Sequence, residues 1–98
     1  MADIEVKAAC AVEPADAEEC FALGMSYSSG AGVAVDLVAA HMWFNIAASR
    51  GHNDAARLRR EVAEQMADAE IGSAQRAARA WLKEHPLPQA AVAFRAAA

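Results

Sequence analysis

The sequence predicts an all-α fold of about four helices, arranged as antiparallel helical hairpins. Two observations predict this class. The chain has 98 residues with a hydrophobic fraction of 56%, much of it alanine, the residue with the highest helix propensity. Apolar residues also recur at helical spacing between breaks marked by glycine or proline. A chain of this length forms one domain at most.

The first predicted helix begins near Pro14 to Asp16. Proline is favoured in the first turn of a helix, and Asp16 with Glu19 three residues later has the spacing of a capping box. Gly30 is expected to end this helix in the left-handed conformation. Residues 1–13 show no clear period, so we interpret them as a loosely ordered N-terminal arm.

The second predicted helix begins after Asp36, which is a good N-cap residue, and it is apolar almost all round. A helix of this composition is buried on most sides, so we expect it to be the central element. Trp43 and Phe44 are expected to be core residues. The exception to the apolar surface is a narrow polar stripe of residues spaced by four, predicted to be exposed: His41, Asn45 and Ser49.

Two further helices are predicted between Gly51 and Pro86, giving a helical domain over 14–85 and a C-terminal tail over 86–98. Gly51 ends the second helix, and Asn53 is expected to cap the third. A break at Ala67 to Asp68 separates the third helix from the fourth. The apolar stripe of the third helix is Ala55, Leu58, Val62 and Met66, and that of the fourth is Ile71, Ala74, Ala78, Trp81 and Leu82.

Composition and charge argue against several classes of protein. No apolar run approaches the roughly 18 residues of a membrane span, and no secretory signal is recognisable at the N-terminus, which favours a cytoplasmic location. The net charge of −4 argues against nucleic acid as the main partner. The charge is uneven: residues 1–49 hold one basic and seven acidic residues (net −6), and residues 50–98 hold eight basic and six acidic (net +2).

The residues that usually carry chemistry show no catalytic, cofactor or metal-binding arrangement. His41, His52 and His85 lie on different elements, which disfavours a metal site. The glycines at 30 and 32 follow a helix and not a strand, so a helix-joining turn explains them better than a phosphate site does. Cys10 and Cys20 lack metal or redox spacing. Cys20 falls on an apolar helical stripe and is expected to be a buried free thiol.

One pattern of thirteen residues spans the first two predicted helices and the loop between them. It resembles the Sel-one-like repeat, which is related to the tetratricopeptide repeat. The match covers about residues 17–55 and departs from the family pattern at Glu19, where a small residue is usual. The matching residues are Leu23, Gly24, Tyr27, Gly30, Gly32, Val33, Asp36, Ala40, Trp43, Phe44, Ala47, Ala48 and Gly51.

The resemblance implies one full repeat followed by a capping helical hairpin, as at the end of repeats in many small bacterial proteins. The corresponding fold is a short α-α superhelix. Repeat units bury their apolar faces against neighbours, and a stack usually needs about three units. Either the C-terminal helix pair closes the core, or a second copy of the chain does so in a homodimer.

The preferred function is a non-enzymatic protein–protein interaction module, such as an adaptor or a small regulatory subunit, that binds a peptide or helix. One alternative is a dimeric nucleic-acid-associated protein that uses a basic face between Arg50 and Arg60, including Arg57 and Arg59. Another is a chain with no partner beyond itself. The residues expected to bind the partner are Glu18, Ala22, Met25 and Ser29 of the first helix, His41, Asn45 and Ser49 of the second, and Trp81.

Overall fold

The computed structural model describes residues 16–86, which form four α-helices and no strand. The helices are α1 (Ala17–Ser29), α2 (Leu37–Ser49), α3 (Ala55–Ala63) and α4 (Asp68–Glu84). The predicted all-α class is therefore confirmed. The expectations for the N-terminal arm, for Pro14, for Cys10 and for the tail beyond Pro86 fall outside the described residues.

The ends of α1 follow from the residues that flank it. Asp16 is the N-cap, and its Oδ1 atom accepts a hydrogen bond from the backbone N–H of Glu19 at 2.9 Å. At the other end Gly30 has a φ of 82°, and its N–H donates to the carbonyl of Ser26 at 2.8 Å. Glycine adopts this left-handed conformation without the strain that a Cβ introduces. The predicted start and end of this helix are confirmed.

The ends of α2 are fixed in the same way. Asp36 Oδ1 accepts a hydrogen bond from the N–H of Ala39 at 3.0 Å. After the helix, Gly51 has a φ of 100°. The N–H of Gly51 donates to Ala48, and the N–H of His52 donates to Ala47 at 2.9 Å. These two bonds form a Schellman motif, so Gly51 ends the helix as predicted.

The predicted cap of α3 is wrong. Asn53 is exposed, and the N-cap residue is Asp54, whose side chain makes no capping hydrogen bond. A side-chain hydrogen bond at this position comes from His52 instead. The Nδ1 atom of its imidazole accepts a hydrogen bond from the backbone N–H of Asp54 at 3.2 Å. The ring lies stacked on Phe21, with 3.9 Å between ring centroids. This stacking holds Nδ1 close to the start of α3.

The central element is α2, against which α1, α3 and α4 all pack. Phe44, Ile46 and Ala47 of α2 are fully buried. They belong to two core clusters. One joins all four helices through Cys20, Ile46, Ala47, Ala55 and Ala78, and the other joins Ala40 and Phe44 to Val62. The predicted central position of the second helix is confirmed.

Cys20 is a fully buried free thiol, as predicted. Burial raises the pKa of this thiol to about 11, and the negative charges of Asp16 and Glu19 act in the same direction. The positive charge of Arg50 opposes them. Because the thiolate is the nucleophilic form of cysteine, Cys20 is unreactive in the folded protein.

Two aspartates at helix starts form a matched pair for testing the role of capping. We expect Asp36→Ala to lower the free energy of unfolding by about 1 kcal/mol, because it removes the acceptor for the N–H of Ala39. Asp54→Ala removes no cap, so we expect a change within about 0.5 kcal/mol. Urea denaturation followed by circular dichroism measures both. Equal losses would show that the Asp36 cap contributes nothing specific.

Candidate functional site

The residues of α1 that were predicted to bind a partner are exposed to solvent. Glu18, Ala22, Met25 and Ser29 follow one another at helical spacing, and all four are exposed. Met25 retains 41% of its accessible surface, although its long apolar side chain gains free energy from burial. These four residues are therefore accessible to a partner, and their predicted role in binding stays a prediction.

The loop that follows α1 carries two further exposed apolar side chains. Val33 is 39% exposed and Val35 is 58% exposed. The N–H of Asp36 donates to the carbonyl of Tyr27 at 3.0 Å, which holds the end of the loop beside α1. A Cβ placed on Gly30 would lie 3.0 Å from Cγ2 of Val35, so the Val35 side chain lies against the end of the helix.

We call this area the α1–loop surface and define it by six residues. The sequence pattern identified Val33 only as a repeat position and did not single out Val35. The sequence does contain a signal that could have identified them: two β-branched residues lie in a glycine-containing loop, where turn-forming and polar residues are usual. Its members are Glu18, Ala22, Met25, Ser29, Val33 and Val35.

The chain segment that carries the α1–loop surface is acidic. Residues 16–49 contain four acidic residues and neither lysine nor arginine. Glu18 Oε1 lies 3.3 Å from Nε2 of His52, and the Glu18 side chain is still 80% exposed. Since Nδ1 of His52 accepts the bond from Asp54, Nε2 carries the proton and donates to Glu18. The four acidic residues are Asp16, Glu18, Glu19 and Asp36.

The predicted exposed stripe on α2 does not form. His41 is only 2% exposed. Asn45 is half-buried, and its Oδ1 atom accepts a hydrogen bond from Nη1 of Arg59 at 2.8 Å. Ser49 alone is exposed, and its hydroxyl donates to the carbonyl of Ile46. The physical reason is that α2 is covered by three helices, so even its polar residues lie at helix–helix contacts.

His41 is a buried imidazole whose Nδ1 atom has no hydrogen-bond partner. Burial lowers the pKa of His41, and the positive charge of Arg59 lowers it further. The neutral form is therefore the one compatible with the fold, since an imidazolium there would be both desolvated and repelled.

This burial predicts a pH-dependent stability. In the unfolded chain His41 takes up a proton near pH 6.5, whereas in the folded protein it does so only at lower pH. The unfolded state therefore binds more protons below pH 6.5, and the stabilisation present above pH 6.5 is lost as the pH falls. We expect this loss to reach at most about 1.4 kcal/mol per pH unit.

The measurement compares the wild-type protein with His41→Leu by urea denaturation between pH 7.5 and pH 5.5. We expect the free energy of unfolding to fall less steeply in the variant, because other titrating groups are common to both proteins. Parallel pH profiles would contradict the assigned role of His41.

The arginines predicted to form a basic cluster between Arg50 and Arg60 differ in their contacts. Arg59 is bound to Asn45, and Arg50 donates from Nη2 to the carbonyl of His85. Arg57 is exposed, and its Nη1 atom lies 3.2 Å from the carboxylate of Glu61. Two of the four arginines therefore use their guanidinium groups in contacts within the fold. The nucleic-acid alternative stays a prediction that now depends on Arg57 and Arg60, which are exposed.

Trp81 packs within the fold. Its ring is half-buried, meets Trp43 edge-on at 5.4 Å between centroids, and stacks on His85 at 4.0 Å. The guanidinium carbon of Arg50 lies 5.3 Å from the same ring. These contacts join the end of α2 to the end of α4, and the role of Trp81 in binding a partner stays a prediction.

Comparison with known proteins gives no relative. No protein-family model, no curated protein and no solved structure matches this chain. Within residues 16–86, no three histidine, cysteine or acidic side chains are grouped so that they would hold a metal ion. Among the four described helices, none has the length and apolar composition to cross a membrane.

Proposed function

We propose that this protein is a non-enzymatic protein–protein interaction module that binds a peptide or helix of another protein. The observation that carries the proposal is the α1–loop surface. It holds the three large apolar side chains that are exposed in the described part of the chain, Met25, Val33 and Val35. Exposed apolar side chains that form one patch are typical of contact sites.

The proposal includes a helical scaffold of the Sel-like repeat type. Several residues of that pattern have physical roles that such a repeat needs. Gly24 lies directly against the ring of Phe44, which allows α1 and α2 to approach closely. Gly30, Gly32 and Gly51 all have positive φ. These features support a rigid hairpin that presents the outer face of α1 to a partner, as an adaptor or a small regulatory subunit does.

Site-specific photo-crosslinking tests the proposal. A photoreactive amino acid replaces Ala22, in the middle of the α1–loop surface, and the protein is irradiated in its native lysate. We expect one stoichiometric foreign protein to be crosslinked, because a short-range crosslinker captures what lies on this face. The same residue at Gln75, an exposed position on α4, is the control and should not capture that protein.

A second variant tests whether crosslinking of the partner depends on the apolar side chain of Met25. Met25→Ser combined with the crosslinker at Ala22 should reduce the yield at least tenfold, about 1.4 kcal/mol, which is within the range for an interface anchor. Equal capture from positions 22 and 75, or capture that is unchanged by Met25→Ser, would refute the proposed surface.

A further inference from the structure

We infer that the partner of the α1–loop surface is a basic amphipathic helix, with lysine or arginine beside an apolar anchor. This inference rests on the proposed function and specifies the chemistry of the partner. It follows from two properties of α1 and the loop after it: the exposed apolar side chains of Met25, Val33 and Val35, and the acidic residues at the start of α1.

The geometry sets the spacing of the partner's residues. Glu18 precedes Met25 by seven residues, so the two side chains lie on one face about 10 Å apart along the helix axis. The Glu18 carboxylate is 80% exposed, and its Oε1 atom lies 3.3 Å from Nε2 of His52. A partner helix therefore places its apolar residue over Met25 and its basic residue about two turns away.

A second copy of this chain is a poorer match for the surface. Two α1–loop surfaces facing each other would bring together the carboxylates of residues 16–36 from both copies, without any lysine or arginine from that segment. Like charges at an interface oppose association. The predicted homodimer therefore lacks charge complementarity at this surface.

The outer face of α4 is the other part of the chain that offers cations. Arg76, Arg79 and Lys83 lie on this helix and are exposed. Among the described residues, however, no large apolar side chain is exposed on α4. If a second copy used this face, its cations would meet the acidic end of α1, but Met25 would have no apolar contact.

The test uses three synthetic helical peptides of about 18 residues, or five turns. The first carries leucine at helical spacing with lysine two turns away. The second has glutamate in place of lysine, and the third has alanine in place of leucine. Each is labelled, and its binding to the full chain is measured by fluorescence anisotropy at low and high salt.

We expect the lysine–leucine peptide to bind at least about tenfold more tightly than the glutamate peptide, because the wrong charge repels the acidic end of α1. Its affinity should fall as salt is raised, since the charges are exposed and screened. Glu18→Gln removes the charge but keeps an oxygen that accepts from His52. We expect this variant to weaken binding of the lysine–leucine peptide about threefold, and Glu64→Gln on α3, also exposed, to leave it unchanged.

The outcomes separate the partner's chemistry from the proposed function. Equal binding of the lysine and glutamate peptides, still weakened by Met25→Ser, would overturn the inference and leave the interaction module in place. Binding that does not respond to Glu18→Gln would overturn it as well. Failure of every peptide together with failure of the photo-crosslinking would refute both proposals.

Discussion

Phe44→Ala is expected to lower the free energy of unfolding by about 3–5 kcal/mol, the typical cost of deleting a buried aromatic ring. Phe44 is fully buried and belongs to the core cluster that joins α2 to α3 through Val62. Its ring also lies 5.5 Å from that of Phe21 and against the backbone of Gly24. Truncation would leave a cavity between α1, α2 and α3.

A graded series keeps this prediction measurable. Small domains are stable by only about 5–15 kcal/mol, so Phe44→Ala could be largely unfolded. Phe44→Leu retains most of the apolar volume and is expected to cost about 1 kcal/mol. Urea denaturation followed by circular dichroism measures both variants. Similar small losses would mean that the site collapses around the smaller side chain and that the ring is not essential to the core.

Gly24→Ala is expected to lower the free energy of unfolding by about 2 kcal/mol. A Cβ at this position would lie 2.5 Å and 2.6 Å from two ring carbons of Phe44. Overpacking of a core costs about 1–3 kcal/mol. The gain in helix propensity from glycine to alanine offsets up to about 1 kcal/mol of that cost. The steric effect prevails because Phe44 is enclosed on all sides and has little room to move.

Gly72→Ala on α4 is the matched control. A Cβ there would meet only the guanidinium end of Arg76 at 3.3 Å, and a flexible side chain moves away easily. We expect this variant to be more stable than wild type by about 0.5–1 kcal/mol, because alanine favours the helix. We expect thermal unfolding to show a lower midpoint temperature for Gly24→Ala and a higher one for Gly72→Ala than for the wild-type protein. Two stabilised proteins would show that the close contact of Gly24 with Phe44 is not a constraint.

Combining Gly24→Ala with Phe44→Leu tests whether the two residues act together. The smaller, flexible leucine should accommodate the added methyl group, so the double variant should lose less stability than the sum of the single losses. Simple additivity would indicate that the alanine strains another part of the α1–α2 contact.

The sequence alone determined the ends of α1 and α2, because these depend on short-range chemistry, whereas the cap predicted for α3 was wrong. The side-chain oxygens of Asp16 and Asp36 cap α1 and α2, and Gly30 and Gly51 adopt the left-handed conformation after them. Each of these contacts spans only a few residues.

Only the tertiary structure decided which polar residues on α2 and α3 are buried and which partners they bind. His41, Asn45 and Ser49 share a helical spacing that suggested solvent, yet the packing of three helices around α2 buries the first and pairs the second with Arg59. Arg50 likewise contacts His85, which lies 35 residues away. Contacts between residues far apart in the chain depend on how the helices pack, and periodicity within one helix contains no information about its neighbours.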